Sequence, residues 1–126
     1  MMTPEQMLAD ALPWADYWWA KFKGIYRLTK PMSTFKMNKR LKTTAGRNFW
    51  IERVIDLSVE LYGQYPDEFR CEIIPHELAH QVTFDVYGEC RQIHGTEWKS
   101  VMRAVGREPS TYHSMENQIH AARKAK

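Results

Sequence analysis

Two histidines four positions apart, with a glutamate beside the first, dictate more of this chain's architecture than any other stretch: His76-Glu77-Leu78-Ala79-His80. At about 100° per residue of α-helix the two imidazoles stand about 40° apart around the axis, close enough for both to reach one metal ion. Glu77 falls about 60° past His80, where its carboxylate can meet a water, the arrangement known from His-Glu-x-x-His zinc sites. The helix must also hold itself in place. Counted from Ile74, the aliphatic residues Leu78, Val82 and Val86 drift through about 40°, 80° and 120°, whereas His76 and His80 stand at about 200° and 240°. One face is therefore expected in a core and the opposite face on a cleft. The helix is expected to start near Asp67 as N-cap and to run to about Gly88. Pro75 removes the hydrogen bond to the Cys71 carbonyl, which predicts a kink just before the histidines.

Two protein ligands hold a catalytic Zn²⁺ poorly, and three plus a water is the usual set. His94 is the natural third ligand, on a connection between the Gly88 stop and the next helix. Cys90, Glu89 and Glu97 are competing donors, since thiolate and carboxylate also satisfy zinc. His113 and His120 lie far downstream, and His120 in the polar tail is expected in solvent.

Around this centre the pattern alternates between helix and strand. Thr3 followed by Pro4 predicts a helix start, and Leu8, Leu12, Ala15, Trp19 and Phe22 recur at helical spacing, with Pro13 expected to interrupt or kink the run. Between about residues 25 and 61 the period shortens to two, through Phe35 and Met37, Phe49 and Ile51, then Ile55, Leu57, Val59 and Leu61. Three or four strands follow from this, with Ala45-Gly46-Arg47 as a turn or bulge. A last helix after Thr96 carries Trp98, Val101, Met102 and Val105 on one face and ends at Gly106. The fold class expected is α+β, a small sheet packed against the helix that carries the site. Residues 1–116 are read as the domain and 117–126 as a polar tail.

With 44% hydrophobic residues and 13% aromatics, 126 residues suffice for one core. No apolar run approaches the roughly 18 residues that span a membrane, and no secretory leader is legible, so a soluble cytoplasmic protein, nuclear in a eukaryote, is expected. Cys71 and Cys90 form no Cys-x-x-Cys pair and predict neither a disulfide framework nor a zinc ribbon. The net charge of +3 is unevenly spread. Residues 21–53 hold ten bases (Lys21, Lys23, Arg27, Lys30, Lys36, Lys39, Arg40, Lys42, Arg47, Arg53) against Glu52, or +9, which leaves −6 for the rest. Such a segment can face DNA, or it can be a solvated sheet edge.

The ordered combination of Ile74-Pro75-His76-Glu77-Leu78-Ala79-His80, His94-Gly95, Glu97-Trp98-Lys99 and Met102 resembles the SprT-like metallopeptidases, a family that includes the DNA–protein crosslink protease Spartan. Thr44-Ala45-Gly46 and Thr111-Tyr112-His113 add to the resemblance, which covers roughly residues 40–116. It implies a zincin-like domain, Zn²⁺ on His76, His80 and His94, Glu77 as the catalytic residue, and an edge strand that holds an extended protein substrate. Tyr112 or His113 is a further hydrogen-bond donor if the chain returns to the cleft. Many bacterial members continue into a cysteine-rich zinc ribbon that these residues do not contain, so any DNA contact is expected from the catalytic domain or a partner. The expected function is a zinc endopeptidase acting on DNA-associated or DNA-crosslinked proteins. The alternative is a non-catalytic nucleic-acid-binding or adaptor module that keeps zinc for stability; an intact Glu77 speaks against it.

Overall fold

The first helix, α1 (Pro4–Tyr26), opens on a reciprocal cap. Thr3 Oγ1 accepts from the Gln6 N–H at 3.1 Å, and Gln6 Oε1 accepts from the Thr3 N–H at 2.9 Å. A computed structural model of the chain describes residues 1–110. Contrary to expectation, α1 runs through Pro13 without a break. Pro13 lies on the exposed side, while Met7 and Ala11 before it and Ala15, Trp18, Trp19 and Phe22 after it bury in one core. That shared burial outweighs the ~3 kcal/mol cost of an internal proline. The buried face is also rotated from the one read in sequence: Ala11 and Trp18 are inside, and Leu12 is 37% exposed. Arg27 closes the helix in the left-handed region, at φ 52°.

Three strands follow: β1 (Thr34–Asn38), β2 (Gly46–Phe49) and β3 (Val54–Ser58), in the order β1-β3-β2. β1 runs parallel to β3 and β2 antiparallel to it. Phe35, Ile55 and Leu57 face the helices and are buried, while Lys36, Arg47 and Phe49 are exposed on the outer side. Gly46 and Arg47 belong to β2 itself, so the expected turn at 45–47 is corrected: Ala45 is fully buried and its carbonyl accepts from the Ser58 N–H at 2.8 Å. The expected strand period through Val59 and Leu61 also gives way. The Ser58 side chain accepts from the Leu61 N–H and starts α2 (Val59–Gln64), so an alternating pattern ends in a helix because its cap residue is in place.

The central helix begins earlier than expected. Pro66, not Asp67, opens α3 (Pro66–Glu68), which continues through a π-helical turn over Phe69–Ile73 into α4 (Ile74–Tyr87). The wider turn replaces the expected simple kink and settles the backbone around Pro75. Ile74 donates five residues back to Phe69, and Pro75, with no N–H, gives nothing to the carbonyl of Arg70. Trp18 Nε1 donates to that carbonyl at 2.8 Å, which ties α1 to the turn just before the histidines. Gly88 ends α4 at φ 78°. α5 (Thr96–Ala104) buries Trp98, Val101 and Met102. α4 packs against α1, α5 and β2 together, so it is covered on more sides than its aliphatic stripe suggested: His76 and Glu77 are only 4% and 5% exposed, and Val86 lies outside at 40%. Among the described residues no helix is long and apolar enough to cross a membrane.

Candidate metal centre

The Nε2 atoms of His76, His80 and His94 form a nearly equilateral triangle, with sides of 3.2, 3.1 and 3.2 Å. Two corners follow from the one-turn spacing on α4. The third is brought in by the chain between Gly88 and α5. Three imidazole nitrogens this close cannot satisfy one another by hydrogen bonds, because each ring nitrogen offers either one N–H or one lone pair along a single direction. A tetrahedral ion with metal–nitrogen bonds of about 2.0–2.1 Å holds its ligand nitrogens about 3.3 Å apart, and the observed triangle fits that spacing. Among the described residues these three histidines form the cluster suited to a metal ion. Cys90, Glu89 and Glu97 lie outside it. Burial, and next the charge of Glu97, push the Cys90 thiol up.

Trp98, fully buried on α5, is the wall against which the triangle is built. Its ring stacks on His80 at 5.3 Å and meets His76 and His94 edge-on at 4.8 and 4.7 Å. Its Nε1 donates to the carbonyl of His76 at 3.4 Å. One side chain therefore sets the tilt of all three rings. In sequence Trp98 shows as a core position of the last helix and as part of the family resemblance, but its packing on His76, 22 residues away, is not written in local spacing.

Glu77 sits beneath β2. A Cβ at Gly46 would stand 3.1 Å from Glu77 Cγ, 3.2 Å from the Asp56 carbonyl oxygen and 3.3 Å from Glu77 Oε2. The missing side chain lets the strand pass directly over the carboxylate. From there β2 continues beside α4 to residues 50–53, where the chain is clamped. Gln81 Nε2 donates to the Trp50 carbonyl and to Asp85 Oδ1, both at 3.1 Å, and Arg53 grips Asp85 with both terminal nitrogens, at 2.7 and 3.0 Å. Arg53 is thus half-buried in an ion pair and drops out of the basic surface expected over residues 21–53. Arg47 pairs with Asp56 and Lys42 with Glu60, while Lys36, Lys39 and Arg40 line an open groove on the outer sheet face with Phe49. Tyr112, His113, His120 and the 116/117 boundary lie outside the described residues.

The SprT-like family model matches residues 15–121. The chain is 39% identical over 87 residues to Protein SprT of Vibrio atlanticus, an alignment that covers 68% of this chain and 50% of that protein. Against Protein SprT of Vibrio parahaemolyticus it is 37% identical over 92 residues, 72% of this chain and 54% of the relative. Against that of Pseudomonas entomophila it is 31% identical over 94 residues, with 74% and 56% covered. The chain spans about half the length of these curated relatives. No solved structure matches it.

Proposed function

The chain belongs to the SprT-like family, and on that premise we propose that it is a zinc-dependent endopeptidase acting on proteins associated with or crosslinked to DNA. The observation that carries the reading is the His76, His80 and His94 triangle with the buried Glu77 carboxylate on the same helix. The three histidines would hold Zn²⁺, which when bound supplies a Lewis acid for a scissile carbonyl and lowers the pKa of water. Glu77 takes a proton from the attacking water and passes it to the leaving amine. Trp98 keeps the imidazoles oriented, and Gly46 leaves the carboxylate room beneath the strand. Among the described residues β2 pairs only with β3, so an extended peptide can add along its other edge above the helix.

Support for a DNA-associated substrate comes from the outer sheet face, where Lys36, Lys39 and Arg40 outnumber Glu52 and Asp56 along a groove that also holds the exposed Phe49. Bases for phosphates beside a ring for stacking suit a nucleic acid strand. The test compares cleavage of a protein crosslinked to DNA with cleavage of the same protein free in solution, at low and high salt, using Glu77→Gln as blank. Faster cleavage of the crosslinked form, lost at high salt, is expected. Equal rates throughout would mean a general peptidase, and bound zinc without cleavage would mean a non-catalytic module.

A further inference from the structure

Asn48 of β2 carries a carboxamide that no described residue answers. Neither its Nδ2 nor its Oδ1 has a hydrogen-bond partner among the described residues, and both atoms are shut off from solvent. We propose that Asn48 binds the main chain of the substrate peptide, its amide accepting a peptide N–H and donating to a peptide carbonyl of the strand laid along β2. This role rests on the peptidase reading above and adds a group that holds substrate away from the metal.

Position comes first. Asn48 stands opposite Ile55 in the antiparallel pair, and Ile55 is fully buried, so both lie on the helix-facing side of the sheet. Gly46, two positions earlier on the same side, passes over Glu77. Trp50, two positions later, stacks on Phe84, and its carbonyl accepts from Gln81 Nε2 at 3.1 Å. Asn48 therefore lies along the stretch of α4 from Glu77 to Gln81, which includes the metal-facing His80. With β2 held against α4 at both of these points, the backbone cannot turn Asn48 outward to water. The residue also borders a hollow of about 230 Å³ at the end of β2, open to solvent and lined with it by Phe49, Trp50, Ile51 and Glu52. A turn about its side-chain bonds brings the amide to that opening.

The chemistry of the two atoms decides the ligand. Enclosed polar atoms without partners forfeit the hydrogen bonds they make in water, and a valine would suit this strand better. Native folds keep few such groups, so this one calls for a partner from outside the fold. Nδ2 needs an acceptor and Oδ1 needs a donor, side by side. In an extended peptide the N–H and C=O of one residue point to the same side and offer both. A phosphate offers acceptors alone, and a cation offers no acceptor. Exchanging the two amide atoms changes nothing, since neither has a partner. A water molecule also offers both, and the experiment separates it from a peptide.

The experiment uses the zinc-loaded full chain and two probes: acetohydroxamate, which reaches only the metal, and a tri-alanine hydroxamate, which adds a peptide main chain. Kd is measured by calorimetry in the parent, Asn48→Val and Asn48→Ala, beside denaturant unfolding of each. With two hydrogen bonds lost, the tri-alanine probe is expected to bind both variants about tenfold or more weaker, and acetohydroxamate within about twofold of the parent. Asn48→Val is also expected to unfold at a higher denaturant concentration than the parent, since it removes two unmet polar atoms and fits a strand. A tri-alanine Kd unchanged in both variants would overturn the inference, leaving an enclosed water as the partner of the amide and the peptidase reading intact. Equal loss of affinity for both probes, together with lower stability, would mark a merely structural residue and overturn it as well. If neither probe binds the parent, the zinc reading falls and this inference with it.

Discussion

Gly46 and Glu77 share one volume: a Cβ on the first would lie 3.1 Å from Cγ and 3.3 Å from Oε2 of the second. The edge strand and the central helix are therefore spaced by the absence of a single carbon. The Asp56 carbonyl oxygen, a backbone atom, also lies at 3.2 Å, so the Glu77 side chain is the neighbour more able to give. Gly46→Ala should move the Glu77 carboxylate by a few tenths of an ångström and lower kcat by about tenfold, with zinc content unchanged. Kinetics beside metal analysis on the same sample would check it. An alanine variant with full kcat would show that the carboxylate position is not set by the strand.

Trp98 touches all three histidine rings, so its loss should be read in the metal as well as in stability. Trp98→Phe keeps an aromatic ring but loses the indole contact and the bond to the His76 carbonyl. A fall in zinc affinity of about tenfold is expected, as for other groups that orient metal ligands. Trp98→Ala should destabilise the fold by about 3–5 kcal/mol. Competition with a chelator measures the first and denaturant unfolding the second.

Arg53 and Asp85 clamp the end of the β2–β3 connection onto α4. The carboxylate side is 5% exposed and the guanidinium side 18%, so breaking one partner leaves a charge in a largely dry place. Asp85→Ala is expected to cost about 2–3 kcal/mol, more than a surface pair would. Because Gln81 donates to both Asp85 and Trp50, the same variant should loosen Trp50, visible as a change in tryptophan fluorescence before global unfolding.

A second ionic group ties α1 to the turn ahead of the site. Hydrogen bonds from Arg70 hold the Asp10 carboxyl below its usual range; burial opposes them, and Tyr62 adds a further bond. A carboxyl depressed in the folded state stabilises the fold fully above its unfolded pKa of about 3.9, and that contribution disappears as pH falls through the folded value. Burial, then Asp10, push the Tyr62 hydroxyl up, so its contribution is present below about pH 10 and is lost as pH rises beyond the unfolded value. Melting temperature against pH should drop on the acid limb below about pH 4 in the parent chain and drop less in Asp10→Asn, which starts from a lower plateau.

The parts of the fold that were legible in sequence are those written in local spacing. Thr3 and Pro4 mark the start of α1, Gly88 and Gly106 follow α4 and α5, and the histidine pair needs only one helical turn. What local spacing cannot carry was missed or misread. Gly46 looks like a turn glycine until Glu77, 31 positions on, is seen beneath it. Val59 and Leu61 continue a strand rhythm that the Ser58 cap overrides, and Pro13 is tolerated because its helix is anchored on both sides. Arg53 counts as a free base in any tally of charge, yet its partner lies 32 residues away. His94 was placed by chemistry, from the need for a third ligand, and geometry brings its nitrogen to 3.1 Å from that of His80.

Metal content and proteolysis, measured together on the parent chain and four variants, bear most directly on the proposal that these residues form a zinc peptidase site. One zinc per chain is expected in the parent, with its loss in His76→Ala, His80→Ala and His94→Ala. Glu77→Gln should retain the zinc and cleave nothing, since it keeps the ligands and removes the proton carrier. Full zinc in His94→Ala, or undiminished cleavage by Glu77→Gln, would contradict it.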